Sequence, residues 1–189
     1  MADSAHILRI TPHFRRAGTW PVAFDPIGGL QTQTWRLTKA IDRRGHRQTV
    51  LTSHIPGARR HVQVSKAAQA ISLGPDLPGW LASRTHGLSW FPAVLWSLWR
   101  HRKTVDLVHI HYNHWIWCRL LTVAARAMGK PVVVSFNTDL WVSKLAARPK
   151  PGLLHGLALR VERATLRHAH RVIALTNTQA DQLATDLAI

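Results

Sequence analysis

Short runs with strand character recur along the chain, several of them continuously apolar, and most give way to a segment with helical spacing. The runs are residues 6–11, 47–53, 105–111, 131–136 and 171–175. Residues 30–44, 88–103, 114–128 and 153–169 carry apolar side chains three and four apart, and a last such segment closes the chain from 177 to 189. Successive residues of a strand point to opposite faces, so a strand apolar at every position has both faces covered. Strands alternating with helices therefore predict an α/β fold, a Rossmann-like doubly wound parallel sheet. Alternation over 61–65 predicts one more short strand.

Local signals set the ends of these elements. Gly45 and Gly129 follow helical segments and are expected to stop them. Asn113 is placed to cap the helix at 114–128, and Thr176-x-x-Gln179 has the form of a capping box. Leu154, Leu157, Ala158, Val161 and Ala164 are the expected buried stripe of 153–169. Ala180, Leu183, Ala184 and Leu187 are that of the last helix, which runs to Ile189 without a stop signal, so the chain is expected to be the first half of a longer protein.

In open α/β sheets, ligands bind beyond the carboxyl ends of the strands. The segments 12–29, 111–114, 137–144 and 176–178 all follow strands. Within the first, Asp25-Pro-Ile-Gly28-Gly29-Leu-Gln31 leads from a strand into a helix. Paired glycines let backbone N–H groups approach an anion, and a helix N-terminus favours negative charge. The fuller Gly-x-Gly-x-x-Gly pattern is absent, so a plain turn is the competing reading. The same segment holds Pro12, Pro21 and Pro26 with Phe14, Trp20 and Phe24, which suits a ligand-facing loop. Asp25 either starts a turn or accepts from hydroxyl or amine groups. His109 and His111 share a strand face, with His114 close behind. They can be packed histidines, ligand contacts or part of a metal site, although no cysteine or carboxylate sits near them in the sequence. Asn137-Thr138-Asp139 is either a turn or a set of hydrogen-bonding groups for a polar ligand.

Charge narrows the partners. The 189 residues hold 25 Lys and Arg against 9 Asp and Glu, a formal charge of +16. Such a field favours phosphorylated small molecules, anionic lipid surfaces or polyanions. The cations are spread along the chain, and no nucleic-acid-binding motif is present, so no nucleic-acid partner is expected. Residues 88–103 combine Trp96 and Trp99 with a basic end; a helix covering the sheet and a helix lying on lipid headgroups both fit. Cys118 is the sole cysteine, which points to a reducing compartment, and no signal peptide is evident. A cytoplasmic location, with the inner membrane face as an alternative, is expected. Gly-x-Ser-x-Gly, His-Glu-x-x-His and the phosphate-binding Gly-x-x-x-x-Gly-Lys-Ser/Thr are all missing.

The ordered set of Gly28-Gly29, Gln48-Thr-Val-Leu-Thr52, Asp106-Leu-Val-His-Ile-His111, Gly129-Lys-Pro-Val-Val-Val134, Val161-Glu-Arg-Ala164 and Arg171-Val-Ile-Ala-Leu-Thr176 resembles the N-terminal half of GT-B fold, family-4 retaining glycosyltransferases. Arg9-Ile-Thr-Pro-His-Phe14 and Trp20-Pro-Val-Ala-Phe-Asp-Pro-Ile-Gly-Gly29 are similar, more narrowly, to the 2-deoxystreptamine glycosyltransferases of aminoglycoside antibiotic assembly. The resemblance implies sugar transfer from a nucleotide-sugar donor to a small polar acceptor, with retention and without a metal or other cofactor. It makes 1–189 the acceptor-side domain, with the nucleotide-sugar-binding domain missing and the fragment inactive alone. Gly28 and Gly29 would lie against the donor diphosphate. Asp25, Gln31, His111 and Asn113 would be candidates to contact the acceptor. Asn137 stands where the family usually has a histidine beside the reacting sugar, so Asn137 and Thr138 would take the catalytic position with no titratable group between them. A lipid-linked acceptor at a membrane and a non-enzymatic polyanion binder are the alternatives.

Overall fold

The structure, a computed structural model, describes residues 4–12, 14, 29–54, 59–75, 79–111, 114–136 and 153–187. Along these residues run β1 (His6–Ile10), α1 (Gly29–Arg43), β2 (Arg47–Ser53), β3 (His61–Gln63), β4 (Ala68–Leu73), α2 (Gly79–His101), β5 (Leu107–His111), α3 (Trp115–Ala127), β6 (Val132–Phe136), α4 (Leu153–His168), β7 (Arg171–Ala174) and α5 (Asn177–Leu187). The strands hydrogen-bond in the order β3-β4-β2-β1-β5-β6-β7. β1 is parallel to β2, β2 to β4 and β6 to β7, whereas β3 turns back antiparallel on β4. This is the α/β, Rossmann-like doubly wound sheet that the sequence pattern predicts. By packing, the chain falls into two compact units, Met1–Val108 and His109–Ile189.

In the first unit every residue of β1 is buried, and so are six consecutive residues of β2. Both faces of these strands are therefore covered, the buried polar residues of β1 and β2 included. Leu8, Ile10, Val50 and Leu51 meet no solvent beyond 1%. On α2, Trp90, Phe91, Val94 and Leu98 are buried while Pro92, Trp96 and Trp99 are exposed. The helix thus covers the core with one face and leaves its indole pair outside. It begins at Gly79, before the expected 88, with the weak helix former Gly87 inside it.

The strand expected at 61–65 is shorter and is one arm of a hairpin with β4, which the sequence pattern does not reveal. β4 reads Ala-Gln-Ala-Ile-Ser-Leu and buries Ala68, Ala70 and Ser72. Small side chains on the buried face hide its alternation. At the turn, the Ala68 N–H donates to Ser65 Oγ at 3.0 Å, and that hydroxyl donates to Asp42 of α1 at 2.7 Å.

The N-terminus of β1 is held by polar contacts. The His6 N–H donates to Asp106 Oδ2 at 2.7 Å, and the ring nitrogens lie 2.8 Å from the Thr104 carbonyl and 3.0 Å from Thr49 Oγ1. Burial, aided by the nearby Arg47 and His101, pushes the His6 imidazole below the ordinary histidine range, against the Thr104 carbonyl and Asp106, which favour the charged form. Burial does the same to His114. The folded state thus favours neutral rings, and the unfolded chain binds protons more readily. Stability from these groups is full above the ordinary histidine pKa and is lost as pH falls through it toward the folded value. Urea midpoints are expected to be lower at about pH 5.5 than at about pH 7.5, with a smaller difference in His6→Asn. Equal midpoints at the two pH values would contradict this.

In the second unit α3 buries Cys118, Leu121, Thr122 and Ala125. Burial pushes the Cys118 thiol up to about 12, so it stays protonated near neutrality and is no nucleophile. The buried side of α4 is Ala158, Glu162, Thr165 and Leu166, while Leu157 is 50% exposed. Of the expected stripe, Ala158 is buried, Val161 and Ala164 are partly buried and Leu157 is exposed, so the buried side is turned toward Glu162 and Thr165. Arg119 of α3 donates to the Ala164 carbonyl at 3.0 Å, and Glu162 lies near enough to Cys118 to raise its pKa, so polar contacts orient this helix pair. Gly45 and Gly129 do stop their helices, at φ of 79° and 72°, in the left-handed region glycine adopts without strain. The capping box at α5 also forms: the Gln179 N–H donates to Thr176 Oγ1 at 3.1 Å, and Gln179 Oε1 accepts from the Leu175 N–H at 2.7 Å.

Candidate functional site

Gly29 opens α1 after β1, as the strand–loop–helix reading requires. Of the stripe the spacing suggests, Leu30, Leu37 and Ile41 are only partly buried. The buried residues of the helix are Gln31, Thr34 and Thr38, and beneath them lies Arg9, the largest side chain sealed in the interior. Arg9 Nη1 donates to the Thr34 carbonyl and to Gln48 Oε1, both at 3.3 Å, and to Thr38 Oγ1. Gln48 Nε2 donates in turn to the Thr38 carbonyl at 2.9 Å. Burial pushes the guanidinium down to about 9, which still leaves it charged near neutrality. A cation is therefore held beneath the second and third turns of the helix that opens at Gly29.

Phe14 is not ligand-facing, contrary to the expectation for the aromatics of 12–29. It is wholly buried with Val50 and Ala70, against Trp35 and Val64. Asp25 and Gly28 lie outside the described residues, as do Asn113, Asn137 and Thr138. The cap expected from Asn113 falls instead at His114, which has extended backbone and makes no side-chain cap bond.

In the second unit His111 ends β5 and is buried. Its ring stacks on His109 with centroids 4.5 Å apart, and His109 Nε2 is 2.7 Å from Ser135 Oγ of β6. The ring planes are 29° apart, and the His109 contact ties β5 to β6. Among the described residues no three His, Cys, Asp or Glu side chains gather as metal ligands. His114 lies against Trp115 and Trp117, with ring centroids 5.9 and 6.1 Å away.

A cleft of about 700 Å³ runs beside β7 and α5, lined among others by Arg167, His170, Arg171, Thr176 and Asn177. Ala180, Leu183 and Ala184, expected to be buried, line it instead, and both alanines are exposed. β7 is a short strand at the end of the sheet order with alternate residues exposed, so it offers α5 little surface to cover. No described helix is long and apolar enough to cross a membrane.

The sequence readings missed Arg9, Thr38 and Gln48. The available signal was one cation inside an apolar strand, facing a helix with polar residues at 31, 34 and 38.

Comparison with known proteins gives this arrangement its context. The chain is 33% identical over 188 residues to a 2-deoxystreptamine N-acetyl-D-glucosaminyltransferase of Streptomyces fradiae, an alignment covering 94% of the chain and 44% of the relative. It is 31% identical over 166 residues to a 2-deoxystreptamine glucosyltransferase of Streptomyces kanamyceticus, covering 84% of the chain and 43% of the relative. The chain thus spans less than half the length of these curated relatives. The fold matches sucrose-phosphate synthase from Thermosynechococcus elongatus with a TM-score of 0.71 at 19% identity, over 96% of this chain and 44% of that one. The architecture is accordingly that of one half of a GT-B fold. Residues 27–189 match Glycosyltransferase Family 4, and the chain belongs to that family.

Proposed function

We propose that the protein of which this chain is the acceptor-side half transfers a sugar from a nucleotide-sugar donor to a small polar acceptor of the aminocyclitol class, with retention and without a metal or organic cofactor. The observation that carries the reading is the identity, over most of the chain, with two relatives named for transfer to 2-deoxystreptamine. The charge pattern agrees with both substrates. A donor diphosphate is attracted by the +16 field and suits Gly28 and Gly29 at the opening of α1. An aminocyclitol carries ammonium and hydroxyl groups, and Asp25 is one of only nine carboxylates able to hold the former. Gln31, His111 and Asn113 supply hydrogen-bonding partners for the latter. Asn137 and Thr138 bond the reacting sugar and move no proton, since neither titrates.

The reading is tested by titrating the chain calorimetrically with 2-deoxystreptamine and, separately, by incubating it with that acceptor and UDP-N-acetylglucosamine. The acceptor is expected to bind with no disaccharide formed, and Asp25→Asn to weaken binding about tenfold or more, or 1.4 kcal/mol. Lack of acceptor binding would remove the acceptor-side assignment. Transfer by the chain alone would show that the donor half is not required.

A further inference from the structure

The outward face of α2 differs from the exposed aliphatic residues of α3 (Ile116, Leu120 and Val123) in carrying two indoles among cations. Pro92, Trp96, Trp99 and Lys103 recur four, three and four residues apart and form one solvent-side stripe with Arg100. Trp96 and Trp99 are 62% and 45% exposed, the first being the most exposed large apolar side chain among the described residues. Their rings stack with centroids 5.0 Å apart and planes at 24°. The Arg102 guanidinium sits 4.0 Å from the Trp99 ring centroid and also donates to the Trp99 carbonyl at 2.8 Å. The helix and the turn after it contain no acidic residue; the first that follows, Asp106, accepts the His6 N–H.

Covering the core explains the buried face of α2 but not this one. A solvated helix face is ordinarily charged, and two adjacent exposed indoles on it are costly to hydrate. Two indoles flanked by cations are the chemistry of the zone between lipid headgroups and acyl chains, where the ring buries its apolar body and the cations meet phosphate. We propose that this face of α2 is a lipid-contact surface that docks the protein on an anionic membrane, lying on the bilayer rather than crossing it. The absence of a described helix able to cross a membrane agrees with a surface-bound mode.

Two other occupants fit less well. A second copy meeting the same face would bring Arg100, Arg102 and Lys103 of each molecule together with no carboxylate between them. A nucleobase stacks on an open aromatic face, and the Trp99 ring is already engaged by Trp96 and by Arg102. The proposal goes beyond sugar transfer, and its test contains neither donor nor acceptor, so the two readings fail separately.

The experiment is co-sedimentation of the chain with vesicles of equimolar phosphatidylglycerol and phosphatidylcholine, and with phosphatidylcholine alone, at about 50 mM salt. Binding is expected only to the anionic vesicles. The double variant Trp96→Ser/Trp99→Ser should weaken it about tenfold or more at an unchanged melting temperature. Neutralising Arg100, Arg102 and Lys103 to Gln should weaken it by at least a similar factor. No sedimentation with anionic vesicles would overturn the proposal. So would binding that the double Trp variant leaves intact, which would reflect net charge alone. Self-association lost in that variant, or Trp-dependent binding to a single-stranded oligonucleotide tighter than to vesicles, would overturn it in favour of the other occupants.

Discussion

Phe14→Ala is expected to lower the unfolding free energy by about 3–5 kcal/mol. The ring is fully enclosed by Val50, Ala70, Trp35 and Val64, and its centroid is 5.7 Å from that of Trp35 at 55°. Truncation removes the transfer energy of the whole ring and leaves a void between β2, β4 and α1 that rigid neighbours cannot close. For a domain whose net stability is about 5–15 kcal/mol, such a loss leaves a substantial unfolded fraction. Phe14→Leu keeps most of the volume and should cost about 1.5 kcal/mol or less. Urea denaturation of the three proteins checks both values. An alanine variant within about 1 kcal/mol of the parent would show that the ring is not structural.

Arg9→Ala should be of similar severity, about 3 kcal/mol or more, for a different reason. It opens a cavity and also leaves Gln48 Oε1 and Thr38 Oγ1 short of a donor in a sealed interior, at about 1–3 kcal/mol for each unsatisfied group. Removing a buried charge recovers part of its desolvation cost. Arg9→Met separates the terms. It fills the space but donates nothing, so it should recover the cavity contribution and remain about 1–2 kcal/mol below the parent. A methionine variant as stable as the parent would mean that the guanidinium contributes nothing net. Calorimetric melting of the pair decides between these outcomes.

The parallel strands were legible because β6 and parts of β1, β2 and β5 set apolar residues side by side, and few arrangements besides a sheet covered on both faces bury such pairs. Gly45, Gly129 and the Thr176–Gln179 box were legible because each is a local device whose geometry needs only a few residues. β4 was not, since Ala68, Ala70 and Ser72 bury little apolar surface and so give no periodic signal. The orientation of α4 was not, because it is set by contacts with α3 such as that of Arg119 with Ala164, 45 residues apart in sequence, which leave Glu162 and Thr165 buried. At the site, Gly29 could be read from strand–loop–helix order, whereas Arg9 could not. Burial of an arginine depends on partners brought from α1 and β2, and a lone cation in an apolar run does not name them.

The two margins of the sheet carry a consequence for the protein in concentrated solution. Exposed backbone at a sheet edge is a template on which a neighbouring molecule can add a strand. Here one margin is β3, a strand of three residues preceded by exposed Arg59 and Arg60 and opened by exposed His61. The other is β7, four residues long and opened by exposed Arg171. Each is too short to nucleate a long ladder, and each presents cations that a second copy would have to approach. The excess of arginine thus works against copies of the chain growing onto one another.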